Sequence, residues 1–96
     1  MKVRYISITQ ICEGHQIEPQ FIHQLHREGL VEIHQVDNQE VLTEDQVIAV
    51  EKMIRMHYQL DINIQGIEAI THLLGQVNDL QHEIQSLRSR LKRYEK

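Results

Sequence analysis

The chain has 96 residues, enough for one domain or a small domain with an appended helix but not for two full cores. Apolar residues at 41% and charged residues at 25% give globular composition rather than disorder, and a formal charge of −4 argues mildly against nucleic acid. No apolar run approaches the ~18 residues of a membrane span, no export signal opens the chain, and the lone Cys12 fits a reducing compartment. A cytoplasmic location is expected. Glycine and proline, at four and one, are too scarce for a turn-rich all-β fold, so helices are favoured.

The punctuation is legible in chain order. Ser7-Ile8-Thr9-Gln10 fits a capping box, and Ile8, Ile11 and Cys12 recur as one face of a short helix that Gly14 is placed to end. Glu18-Pro19 opens a second helix, with Phe21, Ile22 and Leu25 as its apolar stripe and Gly29 as its end. Two short helices joined by a tight turn make a helix-turn-helix. Val31, Ile33, Val41 and Leu42 flank the turn residues Asp37-Asn38, which predicts a small hairpin, or wing, from Val31 to Leu42. Thr43-Glu44-Asp45-Gln46 is a second capping box with two acids where the helix dipole favours them. Val47, Val50, Ile54 and Leu60 are the predicted buried face of that helix, which ends near Asp61, and Asn63 caps the next.

The last third holds the strongest signal. Ile70, Leu73, Val77, Leu80, Ile84, Leu87, Leu91 and Tyr94 step by alternating threes and fours, as an a/d heptad seam does. Mostly β-branched residues at a with leucine at d favour two parallel strands. Glu83 then faces Arg88, and Arg90 faces Glu95, of a parallel partner. Antiparallel pairing stays open, because the first seam residues can also dock on the globular part. A helix over residues 64–95 is roughly 48 Å long, too long to lie wholly on so small a domain. The expected organisation is a globular segment, 1–61, and a C-terminal helix for dimerisation, 62–96.

This layout is that of winged-helix DNA-binding domains of the MerR type, and its default function is transcription regulation. The charges oppose that default. Residues 5–51 contain one Lys or Arg side chain, Arg27, against nine acids: Glu13, Glu18, Glu28, Glu32, Asp37, Glu40, Glu44, Asp45 and Glu51. Protein–DNA affinity comes largely from cations on phosphates. The second helix offers Gln20, His23, Gln24, His26 and Arg27, and the wing offers no lysine or arginine at all. An acidic helix-turn-helix suits a basic partner instead.

The chain resembles the CbpM family of chaperone modulators, small MerR-like proteins. The first part, from Ile8-Thr9-Gln10-Ile11-Cys12 through Glu28-Gly29-Leu30-Val31, matches any MerR-like helix-turn-helix. More telling are Leu60-Asp61-Ile62-Asn63-Ile64-Gln65-Gly66-Ile67 at the last interhelical turn and the leucine-spaced, arginine-ended tail from Leu80 to Arg93. Gln65 and Ile64 depart from the family's usual proline and aromatic there. The arginine-tyrosine pair and wing arginine of DNA-binding MerR regulators are absent.

The resemblance implies binding to the J domain of a CbpA-type or DnaJ-like co-chaperone and blockage of its engagement with a DnaK-type chaperone. For that role Glu44, Asp45 and Glu51 are the expected charges, and Met53 or Met56 the expected exposed apolar anchors. A MerR-like DNA-binding regulator, dimeric through the same helix, is the alternative. An interaction protein sharing only the scaffold is a third possibility.

Catalysis is not expected. The glycines are too dispersed for a phosphate loop, and no nucleophile–base–acid set stands out. The seven histidines include pairs at helical spacing (Cys12 with His15, His23 with His26), but a single cysteine falls short of a structural zinc set. Neither metal nor cofactor is expected. His23 and His26 are the residues through which partner binding would sense pH.

Overall fold

The computed structural model describes residues 2–95; Met1 and Lys96, the outer ends of the two expected segments, lie outside. Strand β1 (Tyr5–Ser7) leads into α1 (Ile8–His15) and α2 (Pro19–Arg27). Strands β2 (His34–Val36) and β3 (Gln39–Thr43) then form the wing. Helix α3 (Glu44–Ile54) continues into a π-helical turn (Arg55–Gln59), and α4 (Ile64–Tyr94) follows. The chain is mainly helical, as composition predicts, with one small antiparallel sheet ordered β1-β3-β2.

The helix starts follow the sequence signals. Ser7 Oγ accepts from the Gln10 N–H at 3.1 Å, Thr43 Oγ1 from Gln46 at 3.4 Å, and Asn63 Oδ1 from Gly66 at 2.7 Å. Pro19 opens α2, and left-handed Gly29 (φ 76°) closes it, with the Leu30 N–H bonded to the Leu25 carbonyl at 2.9 Å. Helix α1 runs past its expected end. Gly14 sits inside the last turn, and Gln16 (φ 56°) takes the left-handed position.

Sequence reading misses β1. Its three residues pair with the far side of β3, Tyr5 with Thr43 and Ser7 with Val41, so β3 becomes the middle strand. The wing is also shorter than Val31–Leu42. Asp37 (φ 52°) and Asn38 (φ 63°) make the expected two-residue turn, with both residues left-handed as a tight hairpin requires. Val31 lies ahead of the strands because its carbonyl accepts from His26 Nδ1 at 3.0 Å, while the Glu32 N–H donates to Gln46 Oε1 at 3.2 Å. Side chains of α2 and α3 thus take the backbone groups that a longer ladder would have used.

Ile22, Leu25, Leu42, Val50 and Ile67 are fully buried at the centre of one core to which every helix contributes. Ile62 and Ile64 pack against it from beyond the boundary expected at residue 61, so the first turn of α4 belongs to the core. The rest of α4 does not. Its 31 residues span about 46 Å, and the chain measures 59 × 36 × 21 Å overall. No helix among the described residues is long and apolar enough to cross a membrane.

Candidate partner-binding surfaces

Helix α3 turns one stripe inward and keeps a polar ridge outside. The stripe is Val50, Met53 and Ile54, assisted by half-buried Val47. Met53 is 4% exposed and is therefore a core residue, not the free anchor expected from the sequence; Met56 is half-buried against the same core. The expected stripe omitted Met53 and included Leu60, which is 66% exposed. The helix widens to the π turn before Leu60, whose N–H bonds the Arg55 carbonyl at 3.2 Å, and this breaks the 3.6-residue rhythm.

The exposed apolar residue on α3 is Ile48, at 57%. Glu44, Asp45, Glu51 and Lys52 are its neighbours three and four residues away, so it lies among the carboxylates singled out above. Glu44 meets Arg4 at 3.4 Å, and Glu51 meets His15 Nε2 at 3.1 Å, both in solvent. Such exposed pairs are worth little in stability and leave their carboxylates open to another partner.

On the helix-turn-helix face, His23 Nε2 of α2 lies 2.8 Å from Glu40 Oε1 of β3 and clips the wing to the second helix. His34 approaches Glu32 at 3.9 Å. Histidines that might have faced phosphate are thus set beside carboxylates, and Arg27 remains the single Lys or Arg side chain of residues 5–51. Among the described residues no group of three or more histidine, cysteine or acidic side chains is placed to hold a metal.

The π turn carries an aromatic cluster that sequence reading did not find. Phe21 and His57 stack with centroids 4.9 Å apart and planes at 26°. Tyr58 stands edge-on to both, 5.3 Å from Phe21 at 65° and 4.8 Å from His57 at 90°. His57 Nδ1 donates to the Ile62 carbonyl at 2.8 Å, which fixes its ring against the turn into α4. Partial burial, and then the Glu18 carboxylate, push the Tyr58 phenol above its ordinary pKa. Burial likewise raises the Cys12 thiol, keeping it protonated and unreactive in the core.

The seam of α4 is open. From Leu73 through Val77, Leu80, Ile84, Leu87 and Leu91 to Tyr94 it is 48 to 87% exposed, and only Ile70 at its start is half-buried. Leu74 widens the apolar stripe beside Leu73.

No characterised protein matches the chain in sequence. Residues 6–89 match the family described as MerR HTH family regulatory protein, a span that runs from β1 through most of α4 and takes in both α2 and the wing. A match over that much of the molecule, on a fold with this element order, places the chain in the MerR helix-turn-helix family of regulatory proteins.

Proposed function

We propose that this protein is a non-catalytic cytoplasmic modulator that works as a homodimer. It binds the J domain of a CbpA- or DnaJ-like co-chaperone and blocks its engagement of a DnaK-type chaperone. One observation carries the proposal: residues 5–51, which hold the helix-turn-helix, the wing and most of α3, carry nine carboxylates against a single Lys or Arg side chain, Arg27. Protein surfaces of one sign select and steer partners of the other. J domains engage their chaperone through a basic helix, and covering that helix inhibits them. Glu44, Asp45 and Glu51 supply charge on α3, with Ile48 as the exposed apolar contact among them. The resemblance at the last interhelical turn and at the tail points the same way.

Regulation through DNA is the second reading, favoured by membership in a family of helix-turn-helix regulators. The two readings separate in one pair of measurements. Calorimetric titration against the co-chaperone's J domain should give a complex that weakens as salt rises, and the J domain's stimulation of chaperone ATPase should fall in proportion. Reversing Glu44, Asp45 and Glu51 together to lysine should remove that binding while leaving the circular dichroism unchanged. A sequence-selective shift of the gene's own upstream duplex, with no J-domain binding, would establish the regulator instead.

A further inference from the structure

Between the first turns of α2 and the π turn lies a notch of about 230 Å³ lined by Glu18, Gln20, Phe21, Gln24, His57 and Tyr58. We propose that this notch receives the cationic head of a lysine or arginine side chain presented by the basic helix of the partner protein. The proposal rests on the basic-partner reading above and adds the place where one cation is held.

Three features of the notch select a cation. Aromatic faces carry negative quadrupole potential, and here two ring planes stand at 90° to each other, His57 and Tyr58, with Phe21 stacked behind the imidazole. Glu18, at the N-terminus of α2, is close enough to perturb the Tyr58 phenol, so a full negative charge sits beside the rings. His57 contributes a fixed ring: the Ile62 carbonyl can only accept, so Nδ1 carries a hydrogen, and in the neutral imidazole Nε2 is the nitrogen that accepts an incoming N–H. Among the described residues no lysine or arginine stacks on these rings.

Size and sign exclude other occupants. The volume is below the ~300 Å³ at which small-molecule pockets begin, yet it accommodates an ammonium or guanidinium head. An anion would meet Glu18. The chain's own cationic end, Arg88 to Arg93, begins about 36 Å of helix from the start of α4 and cannot fold back onto the notch in the same copy.

Two further observations tie the notch to partner binding. The π turn that ends α3 brings the consecutive residues His57 and Tyr58 against α2. Tyr58 is also the wall shared with a neighbouring groove that contains Glu51, His15 and Arg55, so the notch adjoins the surface proposed for the J domain.

The test uses the full chain in two arms. In the first, calorimetry against the J domain compares the unsubstituted protein with Tyr58→Leu, Glu18→Gln and Tyr58→Phe. Tyr58→Leu and Glu18→Gln should each weaken binding about three- to tenfold, and Tyr58→Phe, which keeps the ring, should not. In the second, N-acetyl-arginine amide is titrated with NMR observation of the ring protons. Those of Tyr58 and His57 should shift, and the shifts should vanish in Glu18→Gln. Undiminished J-domain affinity in both weakening variants would overturn the notch while leaving the J-domain reading intact. Ring shifts with arginine amide but no J-domain binding at all would overturn that reading and leave the notch as a cation receptor. If removing residues 88–96 changed the ring signals of the free protein, the occupant would be the tail of a second copy, and the partner assignment would fall.

Discussion

The globular part and the distal part of α4 treat apolar side chains in opposite ways. In the first, Ile22, Leu25, Leu42, Val50 and Ile67 are sealed from water by elements drawn from the whole sequence up to residue 67. In the second, a seam of the same residue types faces solvent along a single helix. An isolated helix is marginal in water, since most helical stability in proteins comes from packing an apolar face. The globular part holds its own structure, whereas the distal helix depends on a cover. In the homodimer proposed above that cover is a second copy: the seam keeps a strict heptad step, and in a parallel pair Glu83 would face Arg88.

Two substitutions should separate these regions most sharply. Leu80→Glu combined with Leu87→Glu should convert a sedimenting dimer to monomer and remove much of the α4 ellipticity, while the core still melts cooperatively. Ile22→Ala, at a fully buried site, should lower stability by about 2–5 kcal/mol at every protein concentration and leave the dimer in place. A monomer from the unsubstituted chain at high micromolar concentration would refute the second-copy assignment. A concentration-dependent effect from Ile22→Ala would show instead that the two regions are not independent.

A smaller contrast sits in two glycines, one at the junction between the regions and one at the end of α1. Gly66 occupies the third residue of α4, where an added Cβ would lie 2.8 Å from Ile62 Cγ2 and 3.1 Å from Asn63 Oδ1. Both atoms belong to the turn that docks α4 on the core, and Asn63 Oδ1 is the cap itself. Gly66→Ala should cost about 1–3 kcal/mol by thermal or urea denaturation. Gly14, inside α1, meets nothing within 4 Å, so Gly14→Ala should stabilise by about 0.5–1 kcal/mol. A stabilised Gly66→Ala would mean that the turn yields readily and that α4 is loosely docked.

Legibility in the sequence followed the range of each interaction. Caps act over three residues, so Ser7, Thr43 and Asn63 announced the starts of α1, α3 and α4, and Pro19 announced α2. The seam repeats locally and was equally plain. Strand β1 was not, because Tyr5–Ser7 gains its partners only when β3 arrives some 36 residues later. The left-handed Gln16 was hidden because a glycine two residues earlier offered the cheaper solution. The anchors of α3 were misassigned for a further reason. Methionine suits a partner surface as well as a core, so Met53 reads as free although it falls three residues after Val50 on the buried stripe; the π turn displaces only Leu60. The aromatic notch left no sequence signal at all, since Phe21 and His57 meet only through the tertiary fold.

The effect that vanishes at neutral pH belongs to Cys12, a titratable group inside the sealed region. Burial holds its thiol pKa above the ordinary value of 9.0. Below that value both the folded and unfolded chains keep the proton, and the thiol contributes no pH dependence. Above it the unfolded chain releases a proton that the folded chain retains, so unfolding is favoured and stability falls as pH rises toward the folded-state pKa. Tyr58 adds a slope of the same sign at higher pH, where partial burial, and then the Glu18 carboxylate, hold its phenol protonated. Cys12→Ala should therefore shift stability by a constant at neutral pH and flatten the first part of the alkaline decline, leaving the later part to Tyr58. Urea titrations between pH 7 and 10.5 read this directly. An alkaline slope unchanged by the substitution would show that Cys12 ionises in the folded chain as freely as in the unfolded one, and that water reaches the face of α1 which the core is meant to close.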